Sequence, residues 1–339
     1  MKEIEIGGQL VGGNAVPYII AEAGSNFNQD LDMARRLVDA ASNAKANAVK
    51  FQLFRADALY PKKDGFYDLF KSIELNPEWV PKLSDHARDQ GMEFMASAFD
   101  KDSVDILEGA GVSAHKIASS ETTDLPFLHY VASKGKPMVI STGMCDLVDV
   151  EEAVNMCLGV GNPKIILLQC GAMYPLPADQ VHLRVIASFR KRFSCPVGFS
   201  DHTLGQAAAA AAVGLGATVF EKHFTLDRSL EGPDHSYALE PEELASYVAG
   251  IQEAHRSLGS CTKEMLPDEK QNGRREGLYA ARDLNKGDVL TAADLIIKRP
   301  ALGLRARYQT CVVGAIITRS ICADAPITWD VLAFGKEHD

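Results

Sequence analysis

Short apolar runs recur along the first two thirds of the chain, and segments with helical periodicity separate them. Most of these runs lack alternation of apolar and polar positions at their centres, which is typical of strands that are buried on both faces. The eight runs are YIIAEAG (18–24), AVKFQLF (48–54), EFMASAF (93–99), AHKIASS (114–120), PMVISTG (137–143), IILLQCG (165–171), CPVGFSD (195–201) and TVFEKHF (218–224).

The segments between the runs have the spacing of amphipathic helices. In DLDMARRLVDAASNAKA, Leu31, Leu37 and Val38 fall on one face, and Asp30 or Asp32 can cap the N-terminus. NPEWVPKLSDHARDQG begins with a candidate asparagine cap and ends on a glycine. Eight strands that alternate with helices over about 225 residues predict a (β/α)8 barrel. A doubly wound open sheet is the alternative fold, because a strand count from sequence that is wrong by one would no longer give the eight strands of the barrel.

Polar residues occupy the ends of these strands or follow them directly. In a (β/α)8 barrel, the carboxyl ends of the strands and the loops after them form the active site. A single Ser or Lys at such a place is more simply explained as a loop-entry residue, whereas eight strands that all end on reactive types favour a site. The residues concerned are Glu22, Lys50, Gln52, Ser97, Lys116, Ser119, Ser141, Tyr174, Asp201, His202, Glu221 and His223.

The chain changes character after the last helix of the predicted barrel. Residues 263–276 are polar and lack apolar periodicity, which predicts a linker between a barrel of residues 1–262 and a small module of residues 277–339. Within the module, Thr291 is a candidate helix cap. A module of this size buries little core by itself, so we expect it to lean on the barrel or on a partner subunit.

Composition narrows the class of function. The 339 residues carry a formal net charge of −10 at pH 7, which argues against sequence-independent binding of nucleic acid and against binding to anionic membranes. The seven cysteines include no C-x-x-C pair, and the first residues lack the apolar stretch of a signal peptide. We therefore expect a reducing, cytoplasmic location. An anionic ligand would need positive charge that is gathered locally.

Nine segments together resemble the N-acetylneuraminate (sialic acid) synthase family, which includes the legionaminate and pseudaminate synthases. In that family a (β/α)8 barrel precedes an antifreeze-like (SAF) domain. The resemblance implies condensation of phosphoenolpyruvate with an N-acetylated hexose such as N-acetylmannosamine, release of phosphate, a divalent metal, and a homodimer whose protomers exchange their SAF domains. The segments, in the family's order over about residues 15–335, are AEAGSNFNQD, KFQLF, KIASSE, STGM, YPLP, GFSDHTLG, EKHFTLD, GPDHSYALEP and KRP.

Two histidines are the metal ligands that the resemblance implies. His202 and His223 end neighbouring strands of the predicted barrel, so their imidazoles can converge on one ion. A carboxylate lies close to each in the sequence, Asp201 directly before His202 and Glu221 two positions before His223. Two neutral imidazoles leave coordination positions for water and substrate, which suits Mn²⁺; Mg²⁺ and Co²⁺ are alternatives, and such ligands also accept Zn²⁺. A hydrogen-bonded core histidine is the competing interpretation of either residue alone.

The resemblance assigns the remaining polar residues to the two substrates. Lys50 and Lys116 are the cations that neutralise phosphoenolpyruvate. Glu22 and Glu221 are the catalytic carboxylates, which stabilise a cationic carbon and activate water, and the choice of base between them stays open. Arg299 is implied to reach the N-acyl group of the sugar from the partner's SAF domain. The other implied substrate-binding residues are Gln52, Ser97, Ser119, Ser141, Tyr174, Ser200 and Asp234.

Two departures from the family pattern bear on the substrate. Phe27 stands where the family has a histidine, and Ala172 stands where it has a polar residue. One contact to the sugar and one to phosphoenolpyruvate are therefore expected to be lost or supplied differently. GPDHSYALEP is closer to the sialic and legionaminic acid branches than to the pseudaminic branch.

Two other classes of function stay open. A metal-dependent (β/α)8 isomerase or hydrolase usually holds its metal with several carboxylates or a His-x-His on the first strand, and the first strand here offers only Glu22. A non-catalytic binding protein would not need Lys50, Lys116 and two strand-end histidines together.

Overall fold

A computed structural model of the protein describes residues 2–272 and 274–335. Met1, Gly273 and residues 336–339, which the sequence assigns to the barrel, the linker and the terminal module, lie outside the described residues. The chain divides into two compact units, Met1–Gly259 and Ser260–Asp339. In the described part of the chain, no helix combines the length and the apolar character that crossing a membrane requires.

The first unit begins with an antiparallel hairpin that the sequence pattern did not indicate. Its strands are β1 (Ile4–Ile6) and β2 (Gln9–Val11). Apolar residues of the hairpin are buried together with residues at the start of the barrel strands, such as Tyr18 and Val219. The hairpin therefore closes the barrel interior at the end where the strands begin.

Eight parallel strands form a closed barrel, which confirms the predicted fold class and excludes the open sheet. Each of the eight apolar runs supplies one strand, the strands pair in chain order, and the eighth returns to the first. The barrel strands are β3 (Tyr18–Gly24), β4 (Ala48–Leu53), β5 (Glu93–Ala98), β6 (His115–Ile117), β7 (Met138–Ser141), β8 (Ile165–Gln169), β9 (Val197–Asp201) and β10 (Val219–His223).

Helices connect the strands on the outside of the barrel. Asp30 is the cap of the first helix, because its carboxylate accepts the backbone N–H groups of Asp32 and Met33. Asn76 caps a 3-10 turn, Pro77–Trp79, that leads into the fourth helix. The helices of this unit are α1 (Leu31–Asn43), α2 (Ala56–Leu59), α3 (Tyr67–Ser72), α4 (Val80–Asp89), α5 (Lys101–Gly109), α6 (Leu125–Ala132), α7 (Leu147–Gly159), α8 (Arg184–Arg192), α9 (Ala207–Gly214) and α10 (Pro241–Leu258).

The alternation of strand residues sorts the barrel side chains onto two faces. One set, including Phe199 and Phe220, belongs to the large core between strands and helices. The other set fills the barrel interior, where Val139 and Val219 are buried together with the hairpin. The polar residues of the strand ends lie two or four positions after these interior apolar residues, as Glu221 and His223 do after Val219. The period of two therefore brings these polar residues to one end of the barrel.

The second unit has a hydrophobic core of its own. Leu278, Leu284 and Ile317 are among the buried residues of this core. The expectation that the module leans on the barrel or on a partner subunit stays a prediction. Thr291 forms a capping box with Asp294, in agreement with the predicted cap. The elements of this unit are α11 (Pro267–Asn272), which lies inside the predicted linker, β11 (Gly277–Ala280), β12 (Leu295–Lys298), α12 (Gln309–Val312), β13 (Ile316–Ile317) and β14 (Leu332–Ala333).

Candidate active site

Lys50 is buried at the centre of a group of polar side chains inside the barrel. Its Nζ lies 2.8 Å from Glu22 Oε2 and donates a hydrogen bond to Ser97 Oγ at 3.0 Å. Glu221 Oε2 is 3.8 Å from the same nitrogen. Gln52 Nε2 donates to Glu22 Oε1 at 3.2 Å. Three of the predicted residues thus meet around one ammonium group, and Gln52 holds one of them.

Lys116 provides a second buried ammonium group. Its Nζ donates to Ser141 Oγ at 2.7 Å and to the carbonyl of Ile117 at 2.9 Å. It also lies 3.8 Å from Glu221 Oε1, so this carboxylate presents one oxygen to each of the two cations. Ser200 Oγ donates to Glu221 Oε1 at 3.1 Å. Two cations that converge at one end of the barrel suit an anionic ligand with more than one charged group.

Burial and neighbouring charges separate the ionisation of the two carboxyl groups. Burial raises the pKa of Glu22 to about 7, against the opposing effect of Lys50. Burial also acts to raise the pKa of Glu221, but Lys116 and Lys50 outweigh it, and the pKa of Glu221 stays below its usual value. At neutral pH Glu221 is therefore ionised, whereas Glu22 is poised to gain or lose a proton. Such a difference suits general acid–base chemistry.

The same two effects act on the lysines. Burial lowers the pKa of Lys116, and the charge of Glu221 only partly offsets this. Burial also acts to lower the pKa of Lys50, but Glu22 and Glu221 outweigh it and raise that pKa. The cation next to both carboxyl groups is the more firmly protonated of the two.

His202 and His223 lie side by side where their strands end, with ring centroids 5.6 Å apart. Nδ1 of His202 donates to the carbonyl oxygen of Gly171 at 2.6 Å, so the proton of the neutral ring sits on Nδ1 and the lone pair on Nε2. Burial lowers the pKa of both imidazoles, and that of His223 falls to about 4. Both rings are therefore neutral at physiological pH, which is the state that binds a metal ion.

The donor set around the two imidazoles fits an open metal site. Nδ1 of His223 and Oε2 of Glu221 are buried and have no hydrogen-bond partner among the described residues. In those same residues, no group of three or more His, Cys, Asp or Glu side chains has the arrangement of a metal centre. The side chains thus offer two imidazoles rather than a closed cage. Such a set leaves positions for substrate and water on a bound ion.

Two tyrosine rings pack against the histidines. The ring centroid of Tyr174 lies 4.2 Å from that of His202 and 5.7 Å from that of His223, and the ring centroid of Tyr237 lies 5.4 Å from that of His223. Tyr237 also donates to Asp234 Oδ1 at 2.5 Å. The sequence predicted Tyr174 and Asp234 but missed Tyr237, although it lies in the GPDHSYALEP segment that carries Asp234.

Ser119 lies in a 3-10 turn after the fourth barrel strand. Its Oγ accepts a hydrogen bond from the backbone N–H of Gly143 at 2.9 Å and lies 3.4 Å from Cys170 Sγ. Glu121, in the same turn, escaped the sequence prediction. Burial raises its pKa to about 7, which makes it a further candidate for binding or proton transfer. Its place in the KIASSE segment is the signal that would have found it.

The carboxylate that precedes His202 lies outside the site. Asp201 faces the helices, and its Oδ2 lies 3.3 Å from Lys222 Nζ. The side chain of Asp201 therefore bonds to Lys222 rather than to the imidazole, although its charge acts to raise the pKa of His202. The hydrogen-bond partner of His202 is the carbonyl of Gly171. Adjacent residues of a strand point to opposite faces, and this alternation separates Asp201 from the imidazole.

Phe27 belongs to the core between the strands and the helices. Its ring is fully buried, with its centroid 6.2 Å from those of Phe51 and Trp79. The side chain at this position therefore faces the core, and the expectation that a contact to the sugar is lost or supplied differently stays a prediction. Ala172 is partly buried in the loop after β8, and the loss of a polar contact at this position stays a prediction.

Arg299 belongs to the second unit. Its side chain is 65% exposed, and its Nη2 donates to Glu276 Oε1 at 2.8 Å. The implied contact with the N-acyl group of the sugar stays a prediction.

The pKa of His223 predicts how the stability of the metal-free protein depends on pH. The folded-state pKa of about 4 lies below the usual value of 6.5, so the unfolded chain binds more protons between these pH values. The stabilisation is complete above about pH 6.5 and is lost as the pH falls towards 4, by up to about 3 kcal/mol. We expect His223→Gln to lose less stability than the parent over this window in denaturant titrations. Equal losses in the two proteins would contradict the assignment.

Two family models together match most of the chain. The model described as the NeuB family matches residues 37–263, and the model described as the SAF domain matches residues 275–333. The chain is 39% identical to the N,N'-diacetyllegionaminic acid synthase of Legionella pneumophila, over 94% of this chain and 95% of that protein. It is 37% identical to the N-acetylneuraminate-9-phosphate synthase of Homo sapiens, over 86% of this chain and 85% of that protein.

A solved structure agrees with these matches. The crystal structure of N-acetylneuraminic acid (sialic acid) synthetase from Leptospira borgpetersenii superposes with a TM-score of 0.76 at 32% identity, and the match covers 80% of this chain and 94% of that chain. The NeuB match alone spans more than half of the sequence. The chain therefore belongs to the NeuB family of sialic acid and related nonulosonate synthases, and a SAF domain follows its barrel.

Proposed function

We propose that the protein condenses phosphoenolpyruvate with the open-chain form of an N-acyl amino hexose and with water, giving a nine-carbon 2-keto sugar acid and inorganic phosphate. The observation that carries the proposal is the pair of buried ammonium groups of Lys50 and Lys116 around Glu221, in the barrel interior that also holds the two histidines. Phosphoenolpyruvate carries a carboxylate and a phosphate, and two cations match these two anionic groups.

The imidazoles of His202 and His223 would hold a divalent ion, with Mn²⁺ as the first candidate and Mg²⁺ or Co²⁺ as alternatives. When bound, the ion acts as a Lewis acid that makes the sugar's aldehyde carbon electrophilic. The hydrogen bond from Nδ1 of His202 to Gly171 orients that ring with its Nε2 available. The rings of Tyr174 and Tyr237 pack against the imidazoles and help to fix their orientation.

The two carboxyl groups divide the remaining work. When C3 of the enolpyruvate bonds to the aldehyde carbon, positive charge develops at C2. Glu221 is ionised and stabilises that charge electrostatically. Glu22, with a pKa of about 7, accepts a proton from the water that attacks C2, and the hydrogen bond from Gln52 holds its carboxyl group in place. The former aldehyde oxygen gains a proton as it becomes a hydroxyl group, which balances the proton that Glu22 accepts. The bond between C2 and the phosphate oxygen then breaks, the C2 hydroxyl gives its proton to the departing phosphate, and the keto acid results.

N-acetylmannosamine is the sugar that we propose first, with N-acetylneuraminate as the product. A 2,4-diacetamido-trideoxyhexose is the second candidate, because the chain is 39% identical to a protein named N,N'-diacetyllegionaminic acid synthase. A panel of N-acyl hexosamines with phosphoenolpyruvate and Mn²⁺ tests the choice through the rate of phosphate release. The sugar with the highest kcat/KM identifies the branch. If no sugar of the panel leads to phosphate release, the proposal is rejected, and a metal-dependent isomerase or hydrolase and a non-catalytic binding protein become the alternatives.

A homodimer with exchanged SAF domains is part of the proposal. The resemblance to the family supports this exchange. The second unit has a hydrophobic core of its own and exposes Arg299, as a domain that binds to a partner's barrel would. If each barrel uses Arg299 of the partner, an Arg299→Ala protomer and a His202→Ala protomer, each inactive alone, rebuild one intact site per heterodimer. Random exchange in an equal mixture should restore about a quarter of the parent activity. An inactive mixture, with subunit exchange confirmed by native mass spectrometry, would contradict the exchange.

A further inference from the structure

A buried ion pair joins the residues that precede the two histidines. Asp201 precedes His202 and Lys222 precedes His223, and their side chains are 0% and 2% exposed. Asp201 lies opposite Lys222 in the last register pair between β9 and β10. The side chains therefore bond to each other where the pairing of the two strands ends. Neither residue belongs to the substrate site, because both face the helices.

The ion pair also fixes the backbone on either side of His202. Asp201 Oδ1 accepts the backbone N–H of Thr203 at 2.9 Å and its hydroxyl at 2.7 Å, which closes a turn around the histidine. Lys222 Nζ donates to the carbonyl oxygen of Thr203. The two residues that flank His202 are thus tied to the residue that precedes His223.

Tyr247, on α10, completes this cluster. Its hydroxyl donates to Asp201 Oδ2 at 3.1 Å, and its ring centroid lies 5.5 Å from Lys222 Nζ. Both carboxylate oxygens of Asp201 therefore have partners. A buried polar network whose members are all satisfied holds one geometry firmly.

We propose that Asp201, Lys222 and Tyr247 are positioning residues that set the separation of the two imidazoles for the metal ion; this inference rests on the metal-binding role proposed for the histidines. The ring centroids of the two imidazoles lie 5.6 Å apart, and the cluster ties together the backbone segments that carry these rings. A buried ion pair is weak support for stability, since removing two charges from water offsets their attraction. Orientation of metal ligands is a common task of such outer partners.

Titration of the full-length, metal-free protein with Mn²⁺, followed by electron paramagnetic resonance of the free ion, tests the proposal. The double variant Asp201→Asn/Lys222→Met removes both charges together, so that neither stays buried without a partner. We expect its Kd for Mn²⁺ to rise by about 10- to 100-fold. Tyr247→Phe keeps both charges and should raise the Kd by a smaller factor. It carries the test if the double variant does not fold.

Asn162→Ala is the matched control. Asn162 lies in the loop before β8, at the opposite end of the barrel from the histidines. Its buried amide donates to the carbonyl oxygens of Ala132 and Lys136. This variant should lower the melting temperature and leave the Kd for Mn²⁺ unchanged. Weaker Mn²⁺ binding in the cluster variants alone supports the proposal.

Two outcomes would overturn it. If the parent binds Mn²⁺ and the cluster variants bind it with the parent's Kd, positioning is wrong and the proposed metal site stands. If the parent binds Mn²⁺ no better than His202→Ala/His223→Ala, the proposed metal site fails as well.

Discussion

Replacing His202 and His223 by alanine should lower kcat/KM for the condensation by about 10³-fold or more and leave the barrel folded. The loss follows because the proposed metal ion supplies several kcal/mol of transition-state stabilisation at the aldehyde, and these rings are the proposed ligands. The fold survives because the large core between strands and helices consists of apolar residues and does not include the two imidazoles.

Metal removal gives the matching result in the parent. Dialysis against EDTA should abolish phosphate release, Mn²⁺ should restore it, and the double variant should not respond. His115→Gln is the control, because His115 is also a buried histidine of a barrel strand but bonds to Glu108 at 2.7 Å, outside the site. Its activity should respond to Mn²⁺ as the parent's does. Full Mn²⁺-dependent activity without the two strand-end imidazoles would refute their assignment.

Lys116→Met should raise the KM for phosphoenolpyruvate by about 10- to 100-fold and change the KM for the sugar far less. The substitution keeps most of the side-chain volume and removes one buried charge that, of the two substrates, only the anionic one is proposed to contact. It also removes the largest of the effects that lower the pKa of Glu221, so the pKa of that carboxyl group should rise. Steady-state kinetics with each substrate varied in turn measure both constants.

Lys136→Met provides the comparison for this variant. Lys136 precedes β7, at the end of the barrel away from the site, and pairs with Glu108 at 3.0 Å. Its loss should leave both KM values near those of the parent. Equal increases in the two constants for Lys116→Met, or no increase, would remove Lys116 from the phosphoenolpyruvate site.

The barrel was predictable from the sequence because parallel strands buried on both faces leave continuous apolar runs. The run YIIAEAG, for example, coincides with β3. The hairpin of β1 and β2 escaped, since strands of three residues are too short to display a period. The core of the second unit also escaped, because its residues come from short strands and irregular segments without periodicity.

The site was predictable where it lies on strands. Glu221 and His223 follow Val219 at intervals of two, so the interior apolar residue and the two polar ones share a face. The same rule predicts that Asp201 and His202, as adjacent residues, point to opposite faces of the strand. Side chains in loops follow no such period, which is why Tyr237 was missed and why the sequence did not reveal that Phe27 belongs to the core.

The most direct test of the proposed condensation is to measure phosphate release and product mass in one reaction of the purified protein with phosphoenolpyruvate, N-acetylmannosamine or a 2,4-diacetamido-trideoxyhexose, and Mn²⁺. The account predicts one phosphate for each sugar consumed, a product whose composition is sugar plus phosphoenolpyruvate plus water minus phosphoric acid, and no release when the sugar is omitted. Phosphate release that does not depend on the sugar, or no release with either sugar, would contradict it.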